Sequence, residues 1–148
     1  LWVVTQTRDF ARGFIGLMGN LHAVGESVHI TSDEVLTWNQ IMTVIADCLH
    51  VEYKPCYVPS AILAAAPSYD YEGALLGDKG NSVIFDNAKI KRLVPGFTCT
   101  TRFDEGARAS VAYFLSHPEA QKPDPEFDVF CDRVIGLMDG VEAAIRGM

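Results

Sequence analysis

An apolar, β-branched run opens the chain and gives way within four residues to a helix. Trp2-Val3-Val4-Thr5 has the composition of a buried strand. Asp9-Phe10-Ala11 then begins an amphipathic helix in which Phe10, Phe14, Leu17, Met18 and Leu21 recur at helical spacing. The Asp9 carboxylate suits a helix-terminal acceptor that fixes this strand–helix corner. A strand needs neighbours, and no turn precedes this one. The expectation is a chain that forms the tail of something larger.

The following elements read more locally. Gly19-Asn20 offers a stop, and Val24-Gly25-Glu26 a turn into a short strand, Val28-His29-Ile30. Thr37 and Gln40 fit a capping box, opening a helix with Trp38, Ile41, Met42, Ile45 and Leu49 on one face. Residues 51–58 read as a strand ended by Pro59, with Ser60 capping a short Ala-rich helix. Residues 67–80 read mostly as loop, and 82–85 as another strand. Asp86-Asn87 caps a helix over 88–93, which Pro95-Gly96 ends. Two more helices follow, one after Phe103 and one from about Glu126, separated by a Pro-punctuated link. The fold class expected is α+β: a helix-rich lobe with a few short strands.

Composition narrows the partners. At 148 residues and 49% hydrophobic, the chain is long enough for a real core. Its net charge is −7, and Lys89-Ile90-Lys91-Arg92 is its most basic stretch. Nucleic acid and anionic membrane are therefore not expected as partners, because phosphate binding needs concentrated Lys and Arg. Cys48, Cys56, Cys99 and Cys131 have no C-x-x-C spacing and read as small buried hydrophobes. No apolar run approaches bilayer length and no signal peptide is visible, so the default location is cytoplasmic.

Several segments, taken in order, carry a family resemblance. They are Trp2-Val3-Val4-Thr5 with Asp9-Phe10-Ala11, Gly25 to Thr31, Leu36-Thr37-Trp38-Asn39-Gln40, Leu76-Gly77-Asp78-Lys79, Phe85 to Lys91, Val94-Pro95-Gly96-Phe97 and Phe103-Asp104-Glu105-Gly106. Together they resemble the C-terminal half of an extended short-chain dehydrogenase/reductase, the NAD-dependent epimerase/dehydratase family. The resemblance implies a substrate-binding lobe over residues 1–118 and a helical extension over 119–148. It also implies a parent oxidoreductase or isomerase whose N-terminal Rossmann domain binds NAD or NADP. Neither a glycine fingerprint nor a Tyr-x-x-x-Lys pair occurs here, so the chain by itself is expected to bind no cofactor and to hold no catalytic residue. Nucleotide-sugar members of the family tend to carry an arginine where this chain has Leu75, which argues against a diphosphate-bearing substrate.

The resemblance places Ser32, Asp33, Gly77, Asp78 and Lys79 at the substrate. Each has a plainer reading. Ser32-Asp33 also fits ordinary loop and cap chemistry, and Asp78-Lys79 a solvated turn with an incidental ion pair. His22, His29, His50 and His117 have no second ligand at metal-binding spacing. The function expected is the substrate-binding portion of an NAD(P)-dependent enzyme acting on a small hydroxylated or sugar-like molecule. The alternative is a non-catalytic binding or interaction module. An exposed strand edge at residues 1–5 would further favour a homodimer.

Overall fold

The computed structural model describes residues 1–148 and contains helices α1 (Thr7–Leu17), α2 (Trp38–Leu49), α3 (Ser60–Leu63), α4 (Ala88–Leu93), α5 (Phe103–Ser116) and α6 (Pro125–Arg146). Short 3-10 turns occupy Leu21–Ala23 and Pro118–Ala120, and a π-helical segment spans Glu72–Lys79. There is no strand and no sheet. The α+β expectation is corrected: the chain is helical, linked by extended segments. The dehydrogenase, reductase, epimerase and isomerase activities carried by the resemblance rest on a Rossmann-type sheet, and this chain supplies none.

The reason is pairing rather than propensity. A strand exists when successive N–H and C=O groups find a neighbouring backbone. Residues 1–5 achieve one antiparallel bridge, with Trp2 N–H on the Leu36 carbonyl (2.7 Å) and Leu36 N–H on that of Trp2 (2.9 Å). Val83 N–H adds a single bond to the Leu1 carbonyl at 3.1 Å. Beside the expected 28–30 strand, side chains stand where a ladder would: Thr31 N–H donates to Asn87 Oδ1 and Ser32 N–H to Thr5 Oγ1. Residues 51–58 and 82–85 likewise form no strand.

The chain divides into two compact units. The first joins residues 1–53 to 81–113. Its core is Ile30, Ile90 and Phe97, against which Leu17, Val28, Val94 and Cys99 pack. α1 crosses this core at close range. A Cβ on Gly13 would stand 2.6 Å from Ile30 Cγ2, and one on Gly16 would stand 2.4 Å from Val94 Cγ1. One flank of α1 stays in solvent, with Phe10 and Phe14 stacked at 6.1 Å, and beyond its end Met18 and Leu21 are exposed. α2 has its expected capping box: Gln40 N–H donates to Thr37 Oγ1 (3.2 Å) and Thr37 N–H to Gln40 Oε1 (2.8 Å). Ile41 is buried on its inner face, while Trp38 lies against Trp2 with ring centres 5.4 Å apart.

The second unit joins residues 54–80 to 114–148. Its short α3 starts after Pro59, and Ser60 is a helical residue rather than a side-chain cap. Much of the expected 67–80 loop is the π-helical segment. α6 is capped by Asp124, whose Oδ1 accepts from Phe127 N–H at 3.0 Å, and Pro125 occupies the first turn, where a missing N–H costs nothing. Tyr69, Tyr71, Phe127 and Phe130 form an aromatic cluster with ring centres 4.8–6.3 Å apart. No helix of either unit is long and apolar enough to cross a membrane.

Candidate functional site

Asn87 organises one polar centre of the first unit. Read locally it caps α4, yet its side chain makes no bond to that helix; Asp86 Oδ1 receives Ala88 N–H instead, at 2.7 Å. The buried Asn87 amide turns to the 31–33 segment. Its Nδ2 donates to the Thr31 carbonyl (2.9 Å) and to Asp33 Oδ1 (3.0 Å), and its Oδ1 accepts from the Thr31 hydroxyl (3.0 Å). Lys91 Nζ meets the other Asp33 oxygen at 2.8 Å. The bond from Asn87, then Lys91, holds the Asp33 carboxyl below the usual aspartate range. Ser32 is buried, with its N–H on Thr5 Oγ1 (2.9 Å) and its Oγ receiving Glu34 N–H (3.0 Å). The structure thus engages both Ser32 and Asp33 inside the fold.

Asp9 forms a second centre. It is 1% exposed and lies in the first turn of α1, whose cap is Gln6. Its carboxylate fixes the corner by reaching a distant loop. Oδ2 accepts from Thr101 N–H (2.8 Å) and Thr100 N–H (3.2 Å), and Oδ1 from Arg12 (3.1 Å). Burial pushes this carboxyl up, but the bonds from Thr101 and Thr100 outweigh it and leave the group below its ordinary value. Nearby, Glu34 Oε2 accepts Phe103 N–H at 2.7 Å and so supplies the start of α5 with an acceptor. Arg102 lies between Asp104 (3.1 Å) and Glu34 (3.7 Å).

Beside α5 in the same unit is a cavity of about 300 Å³. Thr5, Gln6 and Thr7 form one side, Thr101 and Arg102 a second, and Ser110 of α5 a third. Val4, Ile45, Ala107 and Val111 supply apolar wall. Gly106 keeps α5 close: a Cβ there would be 3.3 Å from Gln6 Cγ. None of these positions was a sequence candidate. They come from segments at opposite ends of the first unit's sequence, from Val4 to Val111, and each alone reads as a cap, loop or core residue.

The remaining candidates belong to the second unit. Gly77, Asp78 and Lys79 fall in the π-helical segment, with Asp78 and Lys79 paired at 3.2 Å and exposed. Ser32 and Asp33 therefore lie in one unit and Gly77, Asp78 and Lys79 in the other. The cysteines are less enclosed than expected, since Cys56 is exposed and the others half-buried. Burial, then the charges of Asp9 and Asp33, pushes the Cys99 thiol up, which suits packing rather than nucleophilic chemistry.

The glycine spacing of a dinucleotide fingerprint can be set against one place in the chain. A dinucleotide fingerprint uses glycines to admit a pyrophosphate to the backbone. Gly16, in the chain's closest approach to such spacing, is instead filled by the Val94 side chain. No family model matches the chain, and no curated protein or solved structure matches it.

Proposed function

We propose that this chain is a small-molecule-binding lobe whose ligand is a small hydroxylated or sugar-like compound. In this reading, NAD or NADP chemistry belongs to a Rossmann domain outside the chain, and the lobe supplies binding and orientation. The observation that carries the reading is the cavity beside α5. Thr7 and Ser110 offer hydroxyls that both donate and accept, and Thr5 a hydroxyl that can donate while it accepts from Ser32 N–H, against an apolar wall suited to the C–H face of a ring. Nitrogen-15 NMR titration of the chain with methyl glucoside is the test. Shifts at the amides of Thr5, Thr101 and Ser110 are expected; shifts confined to other residues would move the site. Calorimetric titration with NAD and NADP is expected to show no binding, and micromolar affinity would overturn the division of labour.

A second reading has its own observation. Phe10, Phe14, Ile15, Met18, Leu21 and Val24 leave an apolar surface on the order of several hundred Å² in water, as large as monomers ordinarily tolerate. An interaction module that pairs with a second copy through α1 accounts for it. Light scattering on the native chain and on Phe14→Ser separates the two readings: dimers that the substitution dissolves support the module, and a monomer in both supports the lobe alone.

A further inference from the structure

We infer that the cavity beside α5 selects uncharged polyhydroxylated ligands and rejects phosphorylated or carboxylated ones. This deepens the proposed function and rests on the reading of that cavity as a ligand site. An anion is held by cations and by unfilled backbone N–H groups at helix starts. Around this cavity those groups are already occupied by the protein's own oxygens. The N–H groups of Thr100 and Thr101 donate to Asp9, that of Phe103 to Glu34, and that of Arg8 to the Gln6 side chain.

The cation lining the cavity is equally committed. Arg102 has Asp104 at 3.1 Å and Glu34 at 3.7 Å, and these carboxylates raise its affinity for its proton. Two further arginines of the unit are also paired: Arg12 with Asp9 at 3.1 Å and Arg108 with Asp104 at 2.9 Å. Glu105 adds a further negative charge in the first turn of α5. An entering phosphate would have to displace a carboxylate from Arg102 and would face the rest of the acidic set. A neutral ligand loses nothing to those charges and exchanges its water for the hydroxyls of Thr7 and Ser110 and the donor of Thr5.

The full chain is titrated with methyl glucoside and with glucose 6-phosphate, reading the amides of Thr5, Thr101 and Ser110 by nitrogen-15 NMR. The expected result is that the phosphate ester binds at least about tenfold more weakly. Equal or tighter binding of the ester would overturn the charge selection while leaving the site in place. Silence of these amides toward both compounds would overturn the site itself. The double variant Glu34→Gln with Asp104→Asn is expected to gain about tenfold in affinity for glucose 6-phosphate as Arg102 is released. If circular dichroism shows that this pair disturbs the fold, Asp104→Asn alone removes the nearer carboxylate and serves the same purpose. A folded variant with no gain would show that self-neutralisation is not what excludes the anion.

Discussion

The first unit, residues 1–53 with 81–113, buries Asp9, Gly13, Ile30, Ser32, Ile41, Ala46, Asn87, Ile90, Phe97 and Ala107; the second, 54–80 with 114–148, buries no residue. Both carry large apolar side chains, so hydrophobic content does not make the difference. The polar bonds do. In the first unit they tie remote segments together: Asp9 to Thr101, Thr31 to Asn87, and Asn20 to the Leu93 carbonyl. In the second they are local, such as Asp70 with Gly73 or Glu142 with Arg146. Apolar burial requires that backbone polar groups at its margin be satisfied, and the first unit meets that demand with side chains instead of a sheet. The lesson is that its stability is concentrated in a few positions, while that of the second is spread thinly over helices and one aromatic cluster.

The largest effect is expected at the centre of that concentration. Ile90 is 0% exposed, and Ile90→Ala should cost about 3–4 kcal/mol through lost transfer energy and a residual cavity. Urea denaturation measures it. A loss below about 1 kcal/mol would mean that the core around Ile30 and Phe97 is not packed as described.

Asp9→Ala should follow at about 2–3 kcal/mol, because the Thr100 and Thr101 N–H groups lose their acceptor and Arg12 loses its partner. The pH dependence has a definite sign. The folded pKa is depressed, so the stabilisation is fully present above the unfolded value of about 3.9 and is lost as pH falls through the folded one. Acid denaturation below about pH 4 should therefore be steeper in the native chain than in Asp9→Asn. Parallel acid limbs would remove Asp9 from its place among the fixing residues. Gly13→Ala comes next, at about 1–3 kcal/mol, since its Cβ would strike Ile30 and Phe97 side chains that are themselves buried.

How much of this was legible in the sequence depended on range. The Thr37–Gln40 capping box was readable because its bonds join residues three apart. The last helix, expected from about Glu126, begins at Pro125. The strands were not legible, because β-branched runs state a preference that only a neighbouring backbone realises, and Trp2 finds just Leu36. Gly77 and Gly80 suggested a loop where the chain coils as a π-helix, with Gly80 N–H on the Leu75 carbonyl. Residues 31–34 read as a polar loop and lie in no helix or strand, but their tie to Asn87 was hidden because Asp86-Asn87 satisfied a cap pattern. The cavity was least legible of all. Its lining joins residues 4–7, 45 and 101–111, and no local pattern encodes that meeting.

The smallest effect is expected in the second unit, where it sharpens the contrast most. Leu137 of α6 is 71% exposed, and Val141 and Ile145 continue the same solvent-facing side. Replacing an exposed leucine removes little buried area and leaves no cavity. Leu137→Ser should therefore change stability by no more than about 0.5 kcal/mol, chiefly through lower helix propensity. Phe130→Ala, within the aromatic cluster, should cost more, at about 1–2 kcal/mol from lost ring contacts. Both are measured by thermal and urea unfolding at several protein concentrations. If Leu137→Ser instead cost about 2 kcal/mol or more, with a midpoint that depended on concentration, the α6 surface would be buried against another copy. The second unit would then owe its stability to association, and the contrast with the first would be one between a core closed within the chain and a core completed by its twin.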